Sequence, residues 1–559
     1  MPSLASTLMQ AEESLRRGMD LWAPDWQDIR NLMAPMCADS LTFTSPGQSR
    51  TREMYDTTAL MANQELGANI MGGATNQAFD WHGLKIRDEE LQKDQEVKLW
   101  LSDVNKHLLS AYNASNFYQS LHTLYLNYGA FGTAALFTGD SVTSAPGYPP
   151  SLSFTPVPHW SYCFAEDADG NANTFFRRAR YTPLQAIAKF GQDNVSKKTR
   201  ELAKNSQMAY TPQTYLHAIW PREDWKIGTV NNRQFPWGNA YLEMESEHVC
   251  HESGFHEFPV SVVRWEKLGD SPWGFGPGHM ALPDVRTLNR MKELQIQMLA
   301  LWVQPPLKQV QEGVLGSISL EPLAINIVKD PNDLTAFELN GRPDLVQISQ
   351  EDLRNSINKI FYVTNLQAVP PPDAGQMTAF EVAQRVSEMQ RLMGPAFHRL
   401  LVELLNPLID RVFGLEWRKG NIPMPPTKII EAARRRKGQI DIEYLGPLAR
   451  AQKSADVQAI SQVYAVGAQM MQATGNAALF DKLDSDLAIE RVAEAANCPP
   501  EIVRDAIGVA RIRAARAEHQ RQLEAGATQQ QTAESLGSIA PFLKAIGDMG
   551  GGGQERMAA

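Results

Sequence analysis

The densest grouping of side chains able to ligate a metal or activate water is His248, Cys250, His251 and His256, in EHVCHESGFHEF (247–258). Zinc asks for three or four nitrogen and sulfur ligands converging as a tetrahedron, and such a centre would support metal-dependent hydrolysis. His251 and His256 are five apart, not the four that set two histidines on one helical face in H-E-x-x-H. The segment reads instead as strand, turn and strand with scattered histidines. Asp167 and Asp169 in EDADGN resemble the start of a calcium loop. The glycine, however, stands at the fourth position rather than the sixth, and no bidentate glutamate follows. A β-turn fits better. Neither G-x-x-x-x-G-K-[ST] nor G-x-S-x-G occurs, so the chain encodes no P-loop motor and no nucleophile elbow. The residues present no active site, and no metal or cofactor is expected.

Charge is the next source of chemistry. Arg434, Arg435, Arg436 and Lys437 are contiguous, and Arg511, Arg513, Arg516 and Arg521 dot a later helical stretch that also carries Glu518 and Glu524. Four adjacent cations are ordinarily a solvated surface; the functional alternative is a patch facing a polyanion. The opposite case is Phe361–Glu381, which has no lysine or arginine. A loop built to hold phosphates would have them. Within it lie Asn365, Gln367, Pro370, Pro371, Pro372, Asp373 and Gln376.

The elements that would carry these residues are legible in part. Thr378 and Glu381 form a T-x-x-E capping box. Val382, Val386, Met389, Met393, Phe397, Leu400, Leu404, Leu408 and Val412 then recur at helical spacing, and Arg418, Lys419 and Gly420 suit a C-terminus. A continuous helix here would reach roughly 60 Å at about 1.5 Å per residue. Gly394-Pro395 predicts a kink or hinge in it. Upstream, 4–33, 55–71 and 96–128 read as helices, with Leu4, Leu8, Leu15, Met19, Leu21 and Trp22 as anchors of the first, and an extended piece lies around 79–86. From Ser151 to Val263 the period shortens: LSFTPVP, SYCFAED, NTFFRRARY, TYLHAIW, WKIGTV, NAYLEM and FPVSVVRW read as strands, interrupted by a helix between Pro183 and Gly191. A helix over 283–303, a mixed stretch, a short helix over 349–363 and a nearly all-helical 449–526 complete the chain, before a glycine-rich tail.

The 559 residues exceed one ordinary core, and 43% hydrophobic content is that of a folded protein. A net charge of −10 argues against gripping nucleic acid through the general surface, but not against surrounding it. Cys37, Cys163, Cys250 and Cys498 form no C-x-x-C pair, which predicts reduced thiols. The first residues lack the apolar core of a signal peptide and no apolar run reaches spanning length, so a soluble, intracellular product and no membrane partner are expected.

In combination and order, several blocks resemble the portal, or head-to-tail connector, proteins of short-tailed double-stranded DNA phages. They are YDTTALMANQELGANIMGGATNQAFDWHGLK (55–85), SGFHEFPVSVVRWEKL (253–268), SPWGFGPGHMALPDVRTLNRM (271–291), TAFEVAQRVSEMQRLMGPAFHRLLVELLNPLIDRVF and LGPLARAQKSADV (445–457). GFGPGHMALPD is looser than the family's glycine-proline block, and the tail after Gly526 has no counterpart.

The resemblance implies a non-enzymatic, mainly helical α+β chain in a ring of about twelve copies around a DNA channel at one capsid vertex. It implies a wing over 1–282, stem helices over 283–303 and 351–363 with a clip (304–350) between them, and a channel loop over 364–377. A long wing helix and exit (378–427), a crown (428–526) and a flexible tail (527–559) would follow. Asn365, Gln367, Pro370, Pro371, Pro372, Asp373 and Gln376 would then face the channel, Gly394 and Pro395 would be a hinge, and Arg434, Arg435, Arg436 and Lys437 would face packaged DNA. The implied partners are further copies, double-stranded DNA, the terminase large subunit, major capsid and scaffolding proteins, and tail adaptor or nozzle proteins. The implied location is the virion, after assembly in the host cytoplasm. Two rivals stand beside this: a ring-forming head-tail adaptor without a packaging role, and a metal-dependent hydrolase using His248, Cys250, His251 and His256.

Overall fold

The computed structural model describes residues 3–36, 51–78, 80–140, 151–226, 228–229, 231–303, 307–309, 330, 334–336, 343–363, 393–434, 440–444, 457, 459–470, 483–495, 502–504 and 508–522. The fold mixes helices with antiparallel sheets. Helix α1 (Leu4–Asp20) starts on Ser3, whose hydroxyl accepts from the Ser6 amide, and α2 (Ala23–Leu32) takes Pro24 in its first turn. Leu8 and Met19 are buried as expected, whereas Leu21 is 85% exposed because it falls in the turn between the two helices.

Next come α3 (Thr58–Ala74), β1 (His82–Ile86), α4 (Glu89–Lys93), α5 (Gln95–Asn113) and α6 (Phe117–Phe131). The single helical pattern over 96–128 is thus two helices. The break has a tertiary cause. Asn116 donates through Nδ2 to the Phe154 carbonyl at 2.7 Å and accepts from the Phe154 amide at 2.9 Å, so its amide side chain acts as a strand partner. Helix α6 is buried on nearly every side, with Leu121, Leu124, Tyr125 and Tyr128 in the core. It stops at Gly132, which adopts φ 63°. There the backbone is crossed so closely that a Cβ would lie 2.5 Å from the Gly276 nitrogen. Only glycine satisfies both conditions.

The strands that follow are β2 (Thr133–Asp140), β3 (Leu152–Val157), β4 (Tyr162–Glu166), β5 (Ala172–Tyr181), β6 (Gln213–Pro221), β7 (Trp237–Glu243), β8 (His248–Phe255) and β9 (Val260–Arg264). They make a three-stranded sheet ordered β3-β2-β9 and a five-stranded meander ordered β4-β5-β6-β7-β8. Two short helices, α7 (Pro183–Phe190) and α8 (Lys197–Lys204), sit between β5 and β6. Alternation divides the meander's faces. Phe176, Leu216, Ala218, Ala240 and Leu242 pack with Ala5 and Leu8 of α1, while Phe175 and Ile219 join the main core on the other side. Trp225 and Lys226, expected in a strand, belong to none.

Helix α9 (Pro277–Val303) begins six residues before the expected Pro283, which lies inside it. Beyond it are the short antiparallel strands β10 (Leu307–Gln309) and β11 (Leu334–Ala336), then α10 (Pro343–Ile360), which starts within the expected clip. Helix α10 packs along α9, with Ser356 donating to Asp284 at 2.7 Å, and is tied to the segment before α3 by Arg354 and Asp56 at 2.8 Å. The remaining elements are α11 (Gly394–Arg399), a π-helical stretch (Leu400–Leu405), α12 (Asn406–Lys419), α13 (Thr427–Arg434), β12 (Ile440–Tyr444) and α14 (Ser485–Ala495), with further helix at 459–470 and 508–522. β12 pairs antiparallel with β1, joining the late part of the chain to its beginning. Among the described residues no helix is long and apolar enough to cross a membrane.

Candidate functional site: a helical rod held by two ion-pair clusters

Helices α11 and α12, with the π turn between them, form one rod from Gly394 to Lys419. Its buried stripe is Ala396, Leu400, Leu404, Leu405, Leu408, Ile409, Val412 and Leu415, largely the stripe read from the spacing. Pro407 lies just after the π turn, and the Asn406 amide reaches back to the Leu401 carbonyl, the five-residue spacing of a π bond. The rod ends at Gly420, left-handed at φ 75°, as the sequence predicts.

Near its start, Ala396 accepts a buried hydrogen bond of 3.0 Å from the Tyr128 hydroxyl of α6. The π turn then presents Glu403 to Arg264 at the end of β9. The Arg264 amide and Nε donate to Oε2 at 2.9 and 3.1 Å, and Nη2 donates to Oε1 at 2.9 Å. Arg264 is 2% exposed, also ion-pairs with Glu166 of β4, and donates to the Gly170 carbonyl at 3.0 Å. Lys267 completes the cluster by reaching Glu166 at 2.7 Å. One buried guanidinium thus joins both sheets to the rod.

The second cluster lies near the C-terminal end. Glu257 accepts from both arms of Arg418, at 2.6 and 2.7 Å, and from Arg411 at 2.7 Å. Burial alone would raise the Glu257 carboxyl; the hydrogen bonds and charges of Arg418 and Arg411 outweigh it and hold the group below its ordinary value. Close by, Lys419 bridges Asp140 of β2 at 2.7 Å and Glu416 at 3.1 Å. Tyr444 of β12 donates to Asn406, adding a further tie.

The residues singled out from sequence fall unevenly around this rod. Gly394 and Pro395 occupy its first turn, after Met393 as cap, and a methyl on Gly394 would meet no atom of the described residues within 4 Å. Asn365, Gln367, Pro370, Pro371, Pro372, Asp373 and Gln376 lie outside the described residues, as do Arg435, Arg436 and Lys437; Arg434 closes α13. The histidine and cysteine group is dispersed along β8 and the turn after it. His248 Nε2 contacts the Asn194 carbonyl at 3.0 Å, and the buried Cys250 thiol, pushed up to about 12 by burial, packs with Phe190 and Tyr215. His251 pairs across the sheet with Tyr241, and His256 lies against Phe235 at 3.9 Å between centroids. Among the described residues no group of three or more histidine, cysteine, aspartate or glutamate side chains could hold a metal ion.

Arg264, Glu403, Glu257 and Arg411 were not singled out from sequence. A signal existed for two of them. Glu403 is the lone charge in LLVELL, and Arg264 closes the otherwise uncharged run of VSVVR. A charge at a core position needs a partner.

The profile of the family described as "Bacteriophage head to tail connecting protein" matches residues 5–503. The chain is 28% identical over 525 residues to the protein named "Portal protein" of Salmonella phage epsilon15, covering 92% of this chain and 91% of the relative. It is 28% identical over 535 residues to the "Probable portal protein" of Bordetella phage BPP-1, covering 94% of each. A solved chain described as "Neck of empty GTA particle computed with C6 symmetry" aligns at 11% identity over 76% of this chain and 93% of its own length. Its TM-score is 0.33, too low to carry an argument.

Proposed function

The chain belongs to the bacteriophage head-to-tail connecting protein family, and we propose that it works as a portal: the channel at one capsid vertex through which the genome enters and leaves. The match to two portal-named relatives over nearly all of both chains supports this reading above the adaptor and hydrolase alternatives. In it the protein is a virion component, made in the host cytoplasm. About twelve copies close into a ring, and that ring nucleates the head with capsid and scaffolding proteins. It docks the terminase large subunit during packaging and tail adaptor or nozzle proteins afterwards. Residues 283–303, within α9, and 351–363, from within α10 onward, serve as the stem, 304–350 as the clip, 364–377 as the channel loop, and 428–526 as the crown. Arg434–Lys437 face the genome.

The observation that carries self-assembly is the far end of α9. Leu294, Ile296, Leu299, Leu301, Trp302 and Val303 are 39–79% exposed. Apolar side chains on successive positions cover more than one side of a helix, and water is a poor permanent neighbour for them. Neighbouring copies on both flanks would bury them, as a closed ring provides. The net charge of −10 suits a conduit, since an acidic wall does not hold the DNA backbone.

Electron microscopy of the purified protein tests the reading: rings with a central hole are expected, and compact monomers at all concentrations would overturn it. Trp302→Ser with Leu299→Ser should shift the population toward smaller species.

A further inference from the structure

The face of the meander turned away from α1 is only partly covered. A cleft of about 810 Å³ opens there, between β5, β7, β8 and α7 on one side and β2, β3 and α12 on the other. Across it runs one row of paired residues: Arg177 opposite His217, His217 opposite Tyr241, and Tyr241 opposite His251. His217 is fully enclosed, stacked on Tyr241 at 4.1 Å and hydrogen-bonded to Asn239 at 2.8 Å.

The cations of the lining are Arg177, Lys189, Arg411 and Arg418; its one carboxylate is Asp140, which Lys419 already engages at 2.7 Å. Glu257, just behind, serves both Arg411 and Arg418. With Asp140 taken up by Lys419, the four cations face the single carboxylate of Glu257. Lys189 has neutral company: its ammonium donates to the Tyr181 hydroxyl at 2.8 Å and lies 4.3 Å from the Tyr241 ring centre. No carboxylate among the described residues ion-pairs with Lys189 or Arg177. The Nε atoms of Arg177 and Arg411 are both buried without a hydrogen-bond partner among the described residues, and the Arg411 side chain is only 5% exposed. Burial first, then neighbouring cations, keeps His251 and His256 below their ordinary range. Both are therefore neutral at pH 7, free to donate or accept without adding charge.

A buried guanidinium N–H with no acceptor is costly, so an acceptor brought to these guanidinium groups from outside would relieve the site. We propose that this cleft binds a phosphate monoester, with Arg177, Lys189 and Arg411 as donors to its oxygens. A dianion matches the two cations Arg177 and Lys189 better than a single carboxylate does. The volume exceeds that of phosphate alone and leaves room for an organic body beside the Phe235, Phe255 and Tyr181 rings. A free nucleotide and the 5′-phosphate of a DNA end share this chemistry. The site depends on neither the portal reading nor the ring.

Calorimetric titration of the full-length protein with inorganic phosphate, thymidine 5′-monophosphate and thymidine tests the proposal. Saturable binding of the first two and none of thymidine is expected. Lys189→Gln and Arg177→Gln should each weaken binding at least ten-fold, and Lys189→Arg should restore most of it. Lys189 is half-exposed on a short helix, so Lys189→Gln serves if Arg177→Gln fails to fold. Tighter binding of a 5′-phosphorylated duplex than of its unphosphorylated twin assigns the source to DNA ends, and equal binding assigns it to free nucleotides. Absence of phosphate binding, binding unchanged in Lys189→Gln, or binding of a polyglutamate peptide in its place would overturn the proposal.

Discussion

The two clusters on the rod use the same ions in opposite roles. Around the π turn an arginine is the hub: Arg264 is buried, with carboxylates on two sides and a lysine behind one of them. Near the C-terminal end a carboxylate is the hub: Glu257 is about one-third exposed and shared by two arginines. The first arrangement, in which Arg399 also stands 4.0 Å from Glu403, encloses its ions around Arg264 and closes off. The second ends with positive charge in excess and opens onto a cleft. The difference shows how one helix can be locked at one place and left chemically available fifteen residues later (Glu403 to Arg418).

The sharpest way to break this contrast is to remove one partner from the closed cluster. Arg264→Met should cost about 3–5 kcal/mol in urea unfolding, because two carboxylates then lose their buried cation. Arg264→Met with Glu403→Leu should recover part of that loss; equal destabilisation of single and double variants would show that the charges are not what matters. At the open cluster, Glu257→Gln should cost only about 1 kcal/mol, since solvent shares its work. The sign with pH follows from the lowered carboxyl. Its contribution is complete above the ordinary value of 4.5 and is lost as pH falls through the lower folded value. Wild type and Glu257→Gln should therefore differ at pH 7 and converge in strong acid, and a constant difference would refute the assignment.

Smaller effects on stability lie outside both clusters. Gly394→Ala with Pro395→Ala should shift unfolding by no more than about 1 kcal/mol, since alanine suits a helix and no described residue comes within 4 Å of a methyl at position 394. If the pair is a hinge, packaging or ejection slows while the melting temperature holds; unaltered DNA handling would remove the hinge. If 364–377 is the channel loop, Gln367→Lys with Gln376→Lys should retard packaging, since new cations would then meet the DNA backbone. Neutralising Arg434, Arg435, Arg436 and Lys437 together should impair genome retention without changing the unfolding midpoint, and normal retention would take those residues out of contact with the genome.

How much was legible depended on the range of the cause. The α7 helix was readable because Thr182, Pro183, Gln185 and Gly191 supply its cap, first turn and stop within ten residues. The family resemblance was equally open, because ordered blocks of sequence are themselves the signal. Strand β2 was missed, although it is the centre of its sheet: TAALFTGD is buried on both faces, and without alternation it does not announce a strand. Helix α9 starts earlier than the expected Pro283 because its start is set by the glycine segment packed on Gly132, a contact far along the chain.

By itself, then, the sequence determined the family, the caps and stops of several helices, the apolar stripe of the rod and the alternating strands of the meander. All of these depend on neighbours a few residues away. Only the tertiary structure decided that β12 returns to β1, that Asn116 splits a helix by pairing with Phe154, and that Glu403 and Glu166 meet at Arg264. A side chain's partner across the fold depends on which surfaces come together. A buried charge declares in the sequence that it needs a partner, but not which one.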